Sequence, residues 1–260
     1  MASDPDSRPI KPILDSCAHK QRTIWSPSGS VSAVRPLSEL LHQDLIDLGV
    51  RAGLCLVFSF SAGMSFNRAL AELHSTAFAP VDAQLLSKIL ATLAIGLYSA
   101  MVAGLYAVRL PAIRRASGVQ PVAAALLGSF LMYGLLLLNR RTELPLAAHA
   151  TACGFVLAGN GFAIYTLSHL GRSFSILPES RRLVTSGPYR LVRHPLYLAE
   201  EVAMVGAVVE FLSIYAVALL AAQIAFQLAR THYEERVLRE AFPEYEAYRA
   251  QTCRLIPGII

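Results

Sequence analysis

The chain reads as long apolar runs separated by short polar, arginine-rich connections. The runs cover about Leu48–Phe66, Leu85–Val108, Val119–Leu138 and Leu146–Leu167, followed by Leu196–Arg230, which is long enough for two passes. A hydrocarbon layer about 30 Å thick takes about 20 apolar residues per helix, so this pattern predicts an all-α, polytopic transmembrane bundle of about six spans. The last two form a helical hairpin turning near Phe211–Ser213. Residues 1–46 differ: they are polar, rich in Pro and Ser, and mix acids with bases. They predict a mostly disordered cytoplasmic tail ending in a short surface helix around Pro36–Asp47. From Thr231 onward the chain is charged and aromatic, which fits amphipathic helix broken at Pro243. Three regions result: a tail over 1–46, N-terminal transmembrane helices over 47–168, and a C-terminal region over 169–260.

Composition agrees with a membrane solvent. Of 260 residues 54% are hydrophobic and 16% charged, against about 25% charged in soluble domains, and the mean hydropathy is +0.46. The net charge of +5 lies in the connections rather than in a basic stripe with interleaved aromatics, which excludes nucleic acid as the expected partner. Arginines in the 109–118 loop, the 169–195 segment and the C-terminal stretch place these regions, and both termini, on the cytoplasmic side. Arg140-Arg141 is the exception to that rule. Cys17, Cys55, Cys153 and Cys253 form no CxxC pair, so they predict packing rather than a disulfide framework or zinc site. Gly159-x-Gly161 has no preceding strand and reads as close helix packing rather than dinucleotide binding.

Ionisable groups at membrane depth are costly, by about 2.5–3.5 kcal/mol on insertion scales, and this chain concentrates them in two places. One runs through Thr185-Ser186-Gly187-Pro188-Tyr189 and Arg193-His194-Pro195-Leu196-Tyr197; the other is Arg230-Thr231-His232-Tyr233-Glu234-Glu235, continuing to Phe242, Tyr245 and Tyr248. Only the hairpin separates them, and a hairpin returns the chain to the face it left. The two clusters are therefore expected to meet in a site.

In order and spacing these motifs resemble the isoprenylcysteine carboxyl methyltransferase family, and in general pattern the related phospholipid methyltransferases, over about Leu170 to Pro257. The resemblance implies an S-adenosylmethionine-dependent membrane methyltransferase whose cofactor sits in a non-Rossmann pocket on the cytoplasmic side. It implies that Arg182, Leu183, Val184 and Tyr189 line the adenosyl portion and that His194, Pro195, Leu196 and Tyr197 surround the ribose and methionyl portions. Glu234 would hold the cofactor ammonium, and Arg230 would orient an acidic acceptor, with these two as the catalytic pair. The implied substrate is an isoprenylcysteine-like or other lipophilic acid entering from the bilayer, among membrane lipids.

The chemistry suits these residue types. Methyl transfer to a carboxylate needs no base; alignment and desolvation supply about 7–11 kcal/mol. A planar guanidinium binds both carboxylate oxygens, and a carboxylate pairs with an ammonium. An amine acceptor would first lose a proton, which would bring His232 or Glu235 into play. Plainer readings stand beside these: a helix cap for His194, interfacial aromatics for Tyr189 and Tyr197, and an i,i+4 ion pair for Arg230 and Glu234. Arg181, Arg190 and Arg193 read as lipid-facing cations, and Glu200 and Glu201 as neighbours of which one enters the pocket. His232 and Glu235 have helical metal-ligand spacing but no completing partner, so no metal is expected. The alternatives are a phospholipid or small-lipid N-methyltransferase, an NADPH-dependent enzyme of sterol reductase type, and a non-catalytic membrane scaffold.

Overall fold

The computed structural model describes residues 37–75, 82–138 and 144–258. The expected tail and Arg140-Arg141 fall largely or wholly outside them. Seven α-helices make up the described chain: α1 Leu37–Ser75, α2 Ala83–Val108, α3 Val119–Phe130 continued by a 3-10 segment Leu131–Leu137, α4 Leu146–Leu170, α5 Pro195–Val209, α6 Ile214–Ala241 and α7 Tyr245–Ala250. Five helical stretches are long and apolar enough to cross a membrane: Leu45–His74, Ala83–Val108, Val119–Leu137, Leu146–Ser173 and Ile214–Ala241. Large apolar side chains such as Leu56, Phe60, Leu136, Leu137 and Ile214 face outward, as expected where lipid replaces water.

The sixth expected pass is α5. At 15 residues it extends about 22 Å, short of a full crossing, because Pro195 opens it and the Phe211–Ser213 turn closes it. It still forms the expected hairpin with α6, through Phe211–Ser213. At the other end, α1 differs from expectation: it is one helix from Leu37 through residue 75, not a surface helix followed by a separate span. No proline interrupts it, and Asp47 is satisfied at its place on the helix by Arg109 at 2.8 Å and Arg115 at 2.9 Å.

The connections at one end of the bundle are stitched together. Arg114 and Arg115 pair antiparallel with Ser180 and Glu179, and the Leu110 amide donates to the Arg172 carbonyl at 2.9 Å. The 109–118 loop, the 169–195 segment, the Asp47 side of α1 and, through the Val192–Cys253 bridge, the C-terminal stretch all share this end.

Helix approach is set by small residues. A Cβ at Gly159 would run into the backbone of Ala203 on α5, whereas Gly161 has nothing within 4 Å; only the first glycine of the pair is a packing residue. On α3, Gly128 lets Gln227 of α6 come close, and its carbonyl accepts from Gln223 Nε2 at 2.8 Å. The core under the site joins Val102 and Tyr106 of α2, Ala163 and Leu167 of α4, and Leu196, Tyr197 and Ala199 of α5. Tyr106 fixes the following loop: its hydroxyl accepts from the Ile176 amide at 2.7 Å, and its ring meets Phe174 edge-on.

Candidate functional site

The segment leading into α5 is shaped by its own residues. Gly187 sits at φ +60°, in the left-handed region, with the His169 ring packed where a Cβ would stand. Pro188 follows in a 3-10 turn, Gly187–Arg190, which buries Tyr189. Pro195 then opens α5 at a position where its missing N–H costs nothing. His194 occupies the cap position by backbone alone; its side chain makes no cap hydrogen bond. The ring instead stacks on Tyr197, with centroids 5.3 Å apart, and turns towards two acids, Nδ1 lying 3.8 Å from Glu234 and Nε2 3.4 Å from Glu235.

The two polar clusters do meet. One cavity is bordered by Arg182, Leu183, Val184 and Tyr189 on the loop side, by His194, Leu196 and Tyr197 at the start of α5, and by Glu234 on α6. Pro195 does not border it and serves as the helix start. Arg230 does not border it either: it is 1% exposed and lies against the Tyr197 ring, its guanidinium carbon 4.5 Å from the centroid.

Arg230 is held on every side. Nε donates to Glu234 at 3.0 Å, Nη1 to Ser129 at 3.0 Å and to Gln227 at 3.4 Å, and Nη2 to the Ser175 carbonyl at 3.3 Å. Glu234 also accepts from the Tyr197 hydroxyl. The pair thus has i,i+4 spacing but is not a solvated helix pair: Arg230 is buried and Glu234 opens onto the cavity. Tyr189 and Tyr197 are likewise buried, at 6% and 5% exposure, rather than spread along an interfacial belt. Of the adjacent acids, Glu200 turns inward, accepting from Tyr98 at 2.7 Å and from Gln227 at 2.8 Å. Gln223, Gln227, Arg230 and Glu234 therefore make one polar strip along α6.

Two expected lipid-facing cations are corrected. Arg181 is 4% exposed and bonds Glu179 and the Leu110 carbonyl; burial lowers its pKa, against the opposing pull of Glu179. Arg193 donates to Glu235 at 2.9 Å and to the carbonyls of Arg249 and Thr252. Both cations are turned inward because each has a buried carboxylate that would otherwise be uncompensated. Arg190 is exposed, as expected. Glu235 is a clamp, gripped by Arg193, His194 and Arg254, which ties the C-terminal stretch to the α5 start.

Sequence reasoning left Phe174–Leu177 unassigned and gave Tyr245 and Tyr248 no role within their cluster. Phe174, Ser175 and Leu177 border the cavity, as do Tyr245 and Tyr248. Tyr248 donates to the Tyr189 carbonyl at 2.7 Å, closing the tail over the loop. Burial raises the pKa of Tyr189, Tyr245 and Tyr248 above the ordinary tyrosine value, so all three phenols act as neutral groups. The Phe-x-x-Tyr-x-x-Tyr pattern was the available signal, since it places aromatics one turn apart.

Two curated proteins share sequence with the chain. The cobalt-zinc-cadmium resistance protein CzcN of Cupriavidus metallidurans is 39% identical over 100 residues, which is 36% of this chain and 46% of the relative. The nickel-cobalt-cadmium resistance protein NccN of Alcaligenes xylosoxydans xylosoxydans is 34% identical over 100 residues, with the same shares. The shared stretch thus spans about half the length of each relative. Residues 147–245, which supply α4, α5, α6 and most of the cavity wall, match the phospholipid methyltransferase family. The similarity to this family thus covers 99 of the 260 residues, the C-terminal helices rather than the whole chain.

Proposed function

We propose that the chain is an S-adenosylmethionine-dependent membrane methyltransferase acting on a lipophilic substrate, with an acidic acceptor of the isoprenylcysteine type as the leading reading. The observation that carries the proposal is Glu234. It is a carboxylate opening onto a largely apolar and aromatic cavity, its position fixed by the Tyr197 hydroxyl and by Arg230 Nε.

The residues present fit the group. A cationic, amphiphilic cofactor needs one anionic anchor, an aromatic or apolar bed for its base, and exclusion of water; Glu234, the Tyr189–Tyr248 side and the Leu183–Val184–Leu196 wall offer these in one cavity. When bound, S-adenosylmethionine supplies a methyl group activated on a sulfonium. Glu234 anchors the ammonium end by charge-assisted hydrogen bonding. The stacked His194 and Tyr197 rings form a rigid floor. Tyr245 and Tyr248 keep water out, which strengthens every charge interaction inside. Arg230 holds Glu234 in place and provides the positive charge towards which an acidic acceptor is oriented. Four of its five N–H groups are engaged, with Glu234, Ser129, Gln227 and Ser175, which leaves one, on Nη2, for an acceptor.

A second reading is N-methylation of a phospholipid or other amine, favoured by the family match itself and by Glu200, a second inward carboxylate, on α5, bonded to Gln227 of the polar strip. The experiment that separates these readings begins with binding by titration calorimetry in detergent, S-adenosylhomocysteine against NADPH. Transfer of radiolabelled methyl to a lipophilic acid or an amine phospholipid follows. Binding of NADPH alone would overturn the proposal in favour of a reductase, and binding of neither would favour a scaffold. The relatives' names add a divalent-metal setting to this chemistry. Growth of a deletion strain in zinc, cobalt or cadmium would test whether this chain shares it.

A further inference from the structure

At the opposite end of α4 from the cavity, His149 and Cys153 lie one helical turn apart, and the close packing of Gly159 and Gly206 brings the end of α5 alongside. Glu210, one turn beyond Gly206, reaches across so that its Oε1 is 3.0 Å from His149 Nδ1. The other ring nitrogen faces Cys153, with Nε2 and Sγ 3.6 Å apart. One ligand atom from each of the three residues lies within 4.8 Å of the other two. His149 is 3% and Cys153 5% exposed, and the Glu210 side chain 12%.

We infer that His149 Nε2 and Cys153 Sγ, with Glu210 held on the far ring nitrogen as the orienting partner, form a binding site for a divalent transition metal of the zinc or cobalt type. Three physical arguments converge. The first is distance: zinc bonds of about 2.0–2.1 Å to nitrogen and about 2.3 Å to sulfur give a tetrahedral N···S edge of about 3.6 Å, which is the separation found. The second is tautomer. A carboxylate at Nδ1 holds the ring proton there and leaves the Nε2 lone pair directed to the Cys153 side, the arrangement by which metal-ligating histidines are oriented. The third is charge. A divalent ion on the Cys153 thiolate, with the Glu210 carboxylate across the imidazole, has its two charges matched nearby, the condition under which ions are tolerated away from water. Imidazole with thiolate selects borderline metals over magnesium or calcium.

The proposal departs from the expectation of no metal, which had read Cys153 as packing and His232 with Glu235 as an incomplete pair. Glu235 is committed to arginines, whereas the residues that do converge are separated by up to 61 positions and share no motif. The site is independent of the methyl-transfer reading, because it lies at the far end of the α4–α5 pair.

The test uses the full chain in detergent, without an affinity tag, titrated with Co²⁺. One equivalent should bind with a near-ultraviolet thiolate-to-cobalt charge-transfer band and the visible spectrum of a tetrahedral ion, and Zn²⁺ should displace it. Cys153→Ser should abolish the band, Cys253→Ser should keep it, and Glu210→Gln should weaken binding at least about tenfold. A band that survives Cys153→Ser, or no band at all, overturns the proposal. Should Cys153→Ser fail to fold, X-ray absorption of the zinc-loaded wild type decides instead. One sulfur scatterer beside nitrogen or oxygen supports the site, and oxygen or nitrogen alone refutes it.

Discussion

Replacing Glu234 by Gln removes one negative charge and keeps volume and shape, with one oxygen still able to accept from Tyr197 and Arg230. In the structure the carboxylate accepts from Tyr197 and Arg230 and is 16% exposed in its side chain, so solvent screens it only partly. A unit charge about 4 Å away, at an effective dielectric of about 20, interacts by about 4 kcal/mol before desolvation is deducted. Hydrogen bonds to charged groups net about 1.5–3 kcal/mol, which converts to about 10- to 150-fold in dissociation constant. S-adenosylhomocysteine keeps the ammonium, so calorimetric titration should show a loss of that size. The protein should still fold, because Arg230 keeps Ser129, Gln227 and the Ser175 carbonyl. An ordinary exposed ion pair would be worth about 0.3–0.5 kcal/mol, or little more than twofold. A Glu234→Gln protein binding S-adenosylhomocysteine within about threefold of wild type would refute the anchoring role.

Other outcomes follow from the same geometry. Arg230→Lys cannot reproduce four directed contacts at a buried site. Methyl transfer should fall more than cofactor affinity does, and thermal stability should drop by about 1–3 kcal/mol; a drop in cofactor affinity alone would reverse the two roles. Gly159→Val should destabilise by about 1–3 kcal/mol through overlap with Ala203 while Gly161→Val stays near wild type, as read by thermal unfolding in detergent; equal effects would contradict the α4–α5 packing. Gly187→Ala forces a side chain into the left-handed region, costing about 1–2 kcal/mol, and into the His169 ring, so cofactor affinity should fall with Tyr189 displaced. Burial raises the pKa of Tyr189, Tyr245 and Tyr248 above their unfolded values. Their contribution to stability is therefore complete below about pH 10 and declines as pH rises past it; melting temperature should be level up to that point and fall beyond, and a rise there would contradict the burial.

Hydrophobic runs determined the helices, because in a membrane every backbone amide must be satisfied within its own segment. The run boundaries placed α2, α3, α4 and the Phe211–Ser213 turn. Local chemistry determined the start of α5, since Pro195 has few other places to stand, and the hairpin dictated that the Tyr189–Tyr197 and Arg230–Glu234 clusters share one end. What the sequence left open were matters of direction and depth. It could not tell that Glu200 turns inward, or that Arg181 is buried and Arg193 turned onto Glu235 while Arg190 is exposed. Each depends on which side of a helix meets a neighbour, and single glycines such as Gly128 and Gly159 decide that by how closely backbones approach. The division between Glu234 on the cavity and Arg230 behind Tyr197 is of the same kind: i,i+4 spacing puts both on one face, but only the packing of α3 and the Ser175 loop against α6 buries one and leaves the other open. The meeting of His149, Cys153 and Glu210 was least legible, because no spacing rule links residues on two helices until their crossing fixes the register.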